Sequence, residues 1–158
     1  LNGCLGGSEY LRTIHGRVQG PIPHLNLELE MGIQELCLDA IKKGIIKSSH
    51  DLSDGGLAVN ISESIVHSKV GLGAKLDVVR KIENNALLFG ECQSVIVISL
   101  EESALYELIL LAQKLDMYTQ TIGRVTDTGN LVINDQIDIS RKKIENAYFN
   151  SLEKIMVQ

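Results

Sequence analysis

The sequence is short of the residue types that mark several specialised classes of protein. It has no tryptophan, two phenylalanines and four tyrosines among 158 residues, which leaves few aromatic faces for stacking nucleic-acid bases. Its 15 lysines and arginines are scattered along a chain of net charge −5, whereas nucleic-acid binding usually requires a basic face or stripe. These two shortages argue against a nucleic-acid partner.

Cysteines and long apolar runs are scarce as well. Cys4, Cys37 and Cys92 lie far apart, without the paired spacing of a zinc site, and their odd number argues against a disulfide framework. No apolar run approaches the roughly 20 residues that span a bilayer, and no signal peptide is visible. We therefore expect a cytoplasmic chain with reduced thiols and no membrane partner. Because the chain opens on Leu1 and a glycine-rich stretch, we also expect it to be a fragment of a longer polypeptide.

The composition is that of one globular domain, 44% hydrophobic and 22% charged, covering residues 1–158. Glycines and both prolines interrupt an entry segment, residues 1–26, and the core follows as residues 27–158. Helical and strand patterns alternate, and the turn at residues 127–130 predicts a hairpin between strands at residues 119–125 and 131–133. The predicted fold class is α+β (mixed α/β), a mixed β-sheet packed with helices.

Apolar spacing also predicts which helix faces are buried. The helix that starts at Leu27 has an inward stripe ending near a glycine stop, Gly44. The two predicted inward stripes are Leu29, Ile33, Leu36, Ala40 and Ile41 in that helix, and Ile144, Ala147, Tyr148, Leu152 and Ile155 in the last helix.

The most informative segment is residues 51–56, DLSDGG, which we call the acidic turn. It follows an extended run and opens a helix, a place where backbone N–H groups point outward and suit phosphate. Asp51 or Asp54 could ligate Mg²⁺, while Ser53 and the Gly55 and Gly56 amides could bind the phosphate. A simpler alternative is that Ser53 or Asp54 caps the helix and the glycines make a turn.

A second candidate precedes the most β-branched strand, where Glu91, Cys92 and Gln93 follow a glycine. A carboxylate and an amide at a strand entrance suit a polar ligand, although an ordinary loop explains them equally. A nucleophilic Cys92 would need a base that the nearby sequence does not supply. His50 is interpreted as a hydrogen-bonded structural histidine, and Ser8 as the cap of a short helix.

Four segments resemble, in the same order, the phosphoribosylformylglycinamidine synthase family. They are residues 5–11 (LGGSEYL), 50–58 (HDLSDGGLA), 88–94 (LFGECQS) and 122–125 (IGRV). The acidic turn resembles that of the second C-terminal-type domain of these enzymes. The resemblance implies a PurM C-terminal-domain-like fold.

The resemblance further implies a carbon–nitrogen ligase of purine (IMP) biosynthesis. Such an enzyme uses ATP and Mg²⁺ to activate the amide oxygen of formylglycinamide ribonucleotide, and glutamine-derived ammonia then displaces the phosphate to give the amidine. By the pseudo-symmetry of the family, Asp51 corresponds to a metal-associated position. Glu91, Cys92 and Gln93 correspond to a substrate-contacting tripeptide. From their own chemistry, Ser53, Asp54, Gly55 and Gly56 remain the candidate phosphate- or nucleotide-binding residues.

The chain departs from the family pattern at two positions, since Cys92 stands where serine is usual and Val95 where arginine is common. These departures favour a structural copy or an auxiliary nucleotide site, with no catalytic residue in this chain. The implied partners are the preceding ATP-binding-type domains, a glutaminase subunit and a small accessory subunit. Two alternatives stay open: a non-catalytic assembly module, and a domain of a related synthetase or kinase that acts on another substrate.

Overall fold

The computed structural model describes residues 4–68, 71–79 and 81–156, apart from the side chain of Lys154. The first three residues of the predicted entry segment lie outside this range. The chain divides into two compact units, residues 1–60 with 81–121 (unit 1) and residues 61–80 with 122–158 (unit 2). The prediction of a single domain with an entry segment stays a prediction.

Helices and strands alternate, as the sequence predicts, and the fold is of the mixed α+β class. The elements in chain order are α1 (Glu9–His15), α2 (Leu27–Lys42), β1 (Ile46–Asp51), α3 (Gly56–Val66), β2 (Gly73–Leu76), α4 (Asn84–Phe89), β3 (Ile96–Leu100), a 3₁₀ turn (Glu102–Ala104), α5 (Leu105–Lys114), β4 (Gly123–Thr126), β5 (Asn130–Ile133), β6 (Ile137–Ser140) and α6 (Arg141–Met156).

Unit 1 is built on an antiparallel pair of strands, β1 and β3, together with α2 and α5. The helices supply an aliphatic core that also includes the residue just before β1. The buried members of this core are Leu36, Ala40, Ile45, Leu108 and Ala112. β1 ends at Asp51, which is also the first residue of the acidic turn.

Unit 2 contains a four-stranded sheet in the order β4-β2-β5-β6. The strand β2 pairs antiparallel with β4 and parallel with β5, so that Leu76 lies opposite Ile133. Leu76, Leu131 and Ile133 are buried, and β5 and β6 form an antiparallel pair.

The predicted hairpin between residues 119–125 and 131–133 is wrong. β4 starts only at Gly123, and both β4 and β5 pair with β2, which lies between them. The turn after β4 therefore carries the chain past β2. A turn signal between two apolar segments fixes a change of direction, but it does not exclude an earlier strand from the space between them.

The predicted helix stripes are correct only in part. In α2, Leu36 and Ala40 are buried as predicted, whereas Leu29 and Ile41 are 39% and 48% exposed. In α6, Ile144 is buried and the rest of the predicted stripe is exposed, namely Ala147, Tyr148, Leu152 and Ile155. Periodicity marks an apolar face, but only the part of that face covered by other elements becomes buried.

Several local predictions are confirmed. Ser8 caps α1, since its Oγ accepts a hydrogen bond from the Leu11 N–H group at 3.4 Å. Gly44 follows α2 with a φ of +73°, in the left-handed region expected after a helix end. Within the described ranges, no helix is long and apolar enough to cross a bilayer.

Candidate functional site

The acidic turn joins the end of β1 to the start of α3. The Leu52 N–H group donates to the Val95 carbonyl at 2.9 Å, which continues the strand pairing by one residue, and the Leu52 side chain is buried. Ser53 and Asp54 then face solvent. The Gly56 N–H group donates to the Ser53 carbonyl at 3.1 Å and closes the turn.

The carboxylate of Glu91 binds to this turn from the second candidate segment. Its Oε1 atom accepts a hydrogen bond from the Gly55 N–H group at 2.8 Å and another from the Glu9 N–H group at 2.9 Å. Hydrogen bonds from backbone amides to a carboxylate are among the stronger ones in proteins. The two candidate segments therefore meet in space, and Glu91 joins both of them to the start of α1.

Two side chains, Ser8 and Glu91, accept hydrogen bonds from the free N–H groups in the first turn of α1. Ser8 Oγ accepts from the Leu11 N–H group and donates to the Leu5 carbonyl at 2.7 Å, while Glu91 takes the Glu9 N–H group. Ser8 is 1% exposed. Each side chain satisfies an amide that a helix start leaves without a partner. Ser8 does so from within the entry segment, and Glu91 joins that segment to the rest of unit 1.

A charged pair, Glu9 and Arg12, lies near Asp54 of the acidic turn. Arg12 Nε donates to both carboxylate oxygens of Glu9 at 2.9 Å, which lowers the pKa of Glu9. The pKa of Arg12 is raised, first by this hydrogen bond, then by the charge of Glu9, and least by the charge of Asp54. Arg12 is therefore a cation beside the acidic turn. Sequence reasoning missed it, although the i, i+3 spacing of Glu9 and Arg12 on a helix was a usable signal.

The remaining predicted residues are placed as follows. Asp51 and Gln93 are exposed, and Cys92 is buried at 9% exposure. The His50 ring lies in a hydrogen-bonded contact, with its Nδ1 atom 3.2 Å from Asn60 Nδ2, which is the kind of contact that the structural interpretation of this histidine predicts. Asn60 also donates to the Asp51 carbonyl at 2.7 Å, which fixes the end of β1 to α3.

A resident cation held by protein alone does not fit this donor set. Within the part of the chain that the structure describes, no group of three or more histidine, cysteine, aspartate or glutamate side chains is arranged to hold a metal. Asp51 and Asp54 are both exposed carboxylates. Mg²⁺ is commonly held by one or two carboxylates together with substrate phosphates, so this pair fits an ion that arrives with a nucleotide.

A further polar contact joins the second candidate segment to α2. Ser94 Oγ donates to Glu30 Oε2 at 2.7 Å, and Gln34 Nε2 donates to Glu30 Oε1 at 2.7 Å. These hydrogen bonds, that of the Ser94 hydroxyl first, lower the pKa of Glu30. No local sequence signal predicts this contact, since Glu30 and Ser94 belong to segments far apart in the chain.

A shallow groove of about 250 Å³ lies elsewhere in unit 1, between the end of α2 and α5. It contains none of the predicted site residues, and its walls are Lys43, Glu107, Leu110, Leu111 and Lys114. The acidic turn is a surface feature in unit 1, and the candidate site is defined by its hydrogen bonds and charges.

Comparison with known proteins identifies the fold and the family. Residues 2–136 match the family described as AIR synthase related protein, C-terminal domain. The phosphoribosylformylglycinamidine synthase subunit PurL of Alkaliphilus metalliredigens is 33% identical over 96% of this chain and 21% of its own length. That of Salinibacter ruber is 41% identical over 79% of this chain and 16% of its own length. The chain thus spans about a fifth of the length of these relatives.

Solved structures agree with the sequence matches. The Thermotoga maritima PurLQS structure superposes with a TM-score of 0.70 at 16% identity, over 89% of this chain and 24% of that one. Thermotoga maritima PurL complexed with FGAR gives a TM-score of 0.64 at 17% identity, over 73% and 21% of the two chains. At these identities the superpositions establish the fold, and the predicted PurM C-terminal-domain-like fold is confirmed. Fold and sequence together show that the chain belongs to the AIR synthase-related C-terminal domain family, in the form found in phosphoribosylformylglycinamidine synthases.

Proposed function

We propose that this chain is the second C-terminal-type domain of an ATP-dependent phosphoribosylformylglycinamidine synthase. The observation that carries this proposal is the family match over residues 2–136, together with relatives that are synthase subunits. In the proposed reaction, ATP phosphorylates the amide oxygen of formylglycinamide ribonucleotide. Ammonia derived from glutamine then displaces that phosphate, giving the amidine, ADP and inorganic phosphate.

The acidic turn is the proposed ligand-binding part of this chain. Asp51 and Asp54 would hold Mg²⁺ that is shared with a nucleotide, and this ion would neutralise charge on the phosphates. Ser53 is exposed beside them, and Glu91, Cys92 and Gln93 follow in the segment that joins the turn through Glu91. None of these residues is proposed to carry out chemistry, so the role is that of an auxiliary nucleotide or substrate site.

A second candidate function is a non-catalytic assembly module, and one observation favours it. The Gly55 and Gly56 amides already have protein acceptors, Glu91 Oε1 and the Ser53 carbonyl. A turn whose amides are engaged internally supports the fold whether or not a ligand binds. A related synthetase or kinase domain with another substrate is the remaining alternative.

The proposed partners follow from the family. They are the preceding ATP-binding-type domains of the same polypeptide, a glutaminase subunit that supplies ammonia, and a small accessory subunit, in the cytoplasm. The structural likeness to Thermotoga maritima PurLQS supports a parent that works within a larger complex. Because the ATP site is proposed to lie mainly on the preceding domains, we expect this chain alone to have no synthase activity.

Isothermal titration calorimetry of the parent enzyme with Mg-ADP and with formylglycinamide ribonucleotide tests the ligand role. We expect Asp54→Ala to weaken Mg-ADP binding at the auxiliary site by about tenfold, since a carboxylate ligand is lost. The matched control is Asp135→Ala, an exposed aspartate in unit 2 that should leave binding unchanged. If Asp54→Ala binds Mg-ADP as tightly as the unmodified enzyme, the function left for this turn is the assembly role.

A gene deletion tests the synthase proposal itself. Growth of the deletion strain without added purines would contradict it.

A further inference from the structure

Glu91 is central to the candidate site because three segments meet at one of its oxygen atoms. Gly55 belongs to the acidic turn, Glu9 begins α1, and Glu91 itself follows α4. Gly55 is buried and Glu91 is half-buried, so the contact is partly shielded from water. All three residues belong to unit 1.

The Gly55 and Gly56 amides, which the sequence predicts to bind phosphate, already donate to acceptors within the protein. Gly55 donates to Glu91, Gly56 donates to Ser53, and the Glu9 amide at the start of α1 also donates to Glu91. A phosphate oxygen approaching Gly55 would therefore have to displace a carboxylate oxygen 2.8 Å from the nitrogen. It would also meet more negative than positive charge, because this surface carries the carboxylates of Glu9 and Asp54 and one cation, Arg12.

We propose that Glu91 is a positioning residue: its carboxylate docks α1 on the acidic turn and withholds the Gly55 and Glu9 amides from external anions. This inference rests on the proposed function in one respect, since it treats the acidic turn as the equivalent of a loop that lies beside a bound nucleotide. It deepens that function, because any phosphate bound at the acidic turn is then held through exposed side chains and through Mg²⁺ on Asp51 and Asp54. Free phosphate does not bind to the backbone of the turn.

Hydrogen exchange of backbone amides, followed by NMR in the full chain, tests the docking role. We expect Glu91→Ala to lower the protection of the Glu9 and Gly55 amides by about tenfold or more, the factor that corresponds to losing a hydrogen bond to a charged group. Glu91→Gln keeps an oxygen acceptor and should restore most of this protection. The control is Glu83→Ala, since Glu83 precedes α4 and makes no side-chain cap hydrogen bond.

Titration of the wild-type chain with inorganic pyrophosphate and no metal tests the withholding of the amides. We expect the Gly55, Gly56 and Glu9 amide resonances to stay in place. Movement of these resonances, or unchanged exchange in Glu91→Ala, would overturn the proposal. Neither measurement depends on synthase activity or on Mg-ADP affinity, so failure here is distinguishable from failure of the proposed function.

Discussion

At the scale of single residues, Gly56 is the glycine of the acidic turn that is closely surrounded by backbone atoms. Its φ is +66°, a left-handed conformation that costs other residues about 1–2 kcal/mol. A Cβ atom at this position would lie 2.7 Å from the backbone carbonyl carbon of Phe89. Since backbone cannot rotate away as a side chain does, α4 would have to move.

Gly56→Ala should therefore lower the free energy of unfolding by about 3 kcal/mol or more, combining the conformational cost with overpacking. Gly44→Ala is the matched control, because Gly44 has a φ of +73° with no atom within 4 Å of the added Cβ. We expect it to cost only about 1 kcal/mol. Urea denaturation measures both variants, and equal losses would contradict the proposed clash with Phe89.

The contact between Ser94 and Glu30 predicts a pH-dependent contribution to stability. Ser94 and Gln34 lower the pKa of Glu30 below its ordinary value of 4.5, so they stabilise the ionised carboxylate. Their contribution is fully present above that ordinary value and is lost as the pH falls through the lowered pKa of the folded state. The contact should thus matter at neutral pH and not in acid.

Ser94→Ala should cost about 1 kcal/mol at pH 7, less than the roughly 1.5–3 kcal/mol of a hydrogen bond to a charged group, because Glu30 faces water in part. The cost should shrink as the pH is lowered through the acidic range. Chemical denaturation at a series of pH values measures it, with the exposed Ser103→Ala as the control. A loss that stays constant down to acidic pH would show that the carboxylate charge is not involved.

Residue types in the acidic turn could be predicted as polar and functional, but their partners could not. The cap of Ser8 on Leu11 lies within one helical turn, so local chemistry was enough to predict it. Glu91 contacts Glu9 and Gly55 only because the tertiary fold brings α1, the turn and the segment after α4 together. Such contacts have no local pattern that a single sequence displays.

At the scale of elements, Arg141 connects the start of α6 with the end of α3 inside unit 2. Its Nη2 atom donates to the carbonyls of Val66 at 3.1 Å and Ser68 at 2.8 Å, and its Nε atom donates to Glu145 at 2.6 Å. The carbonyls at a helix end lack intrahelical partners, and a guanidinium satisfies several of them at once. Arg141 is therefore the C-terminal cap of α3, supplied by another helix.

Arg141→Gln should lower the free energy of unfolding by about 2 kcal/mol, because the half-buried carbonyls lose a charged donor. Lys142→Gln, an exposed neighbour on the same helix, should change it by less than about 0.5 kcal/mol. Thermal or urea unfolding followed by circular dichroism measures both. Similar small effects in the two variants would mean that water replaces the guanidinium at the end of α3.

Helices and strands with strong periodicity were predictable as elements, whereas their neighbours were not. The β-branched run at residues 94–100 predicts a strand, and β3 lies wholly within it. The pairing of β2 between β4 and β5 depends on segments distant in the chain, which turn chemistry does not encode. The same limit explains α6. Its sequence shows an apolar stripe but does not show which part of that stripe other elements cover.

At the scale of the whole molecule, the chain has the fold and family of a synthase domain and about a fifth of the length of its relatives. Large apolar side chains are exposed in both units, among them Ile22 at 83% in unit 1 and Met156 at 76% in unit 2. The family and fold class were accessible from sequence because four short segments resemble the synthases in order. The role of this domain was not accessible from sequence, because it depends on which acceptors bind the backbone amides of the acidic turn.

The position of β2 in its sheet has a consequence for biosynthesis. A ribosome makes β2 long before its two pairing partners, because β4 and β5 emerge only after α4, β3 and α5 have been translated. Until Thr126 has left the exit tunnel, both edges of β2 lack their native hydrogen bonds, and the edge that pairs with β5 lacks them until Ile133 has followed. Unpaired edges invite pairing with foreign chains. Nascent chains stalled before β4 should therefore depend on chaperones more than chains stalled after β5.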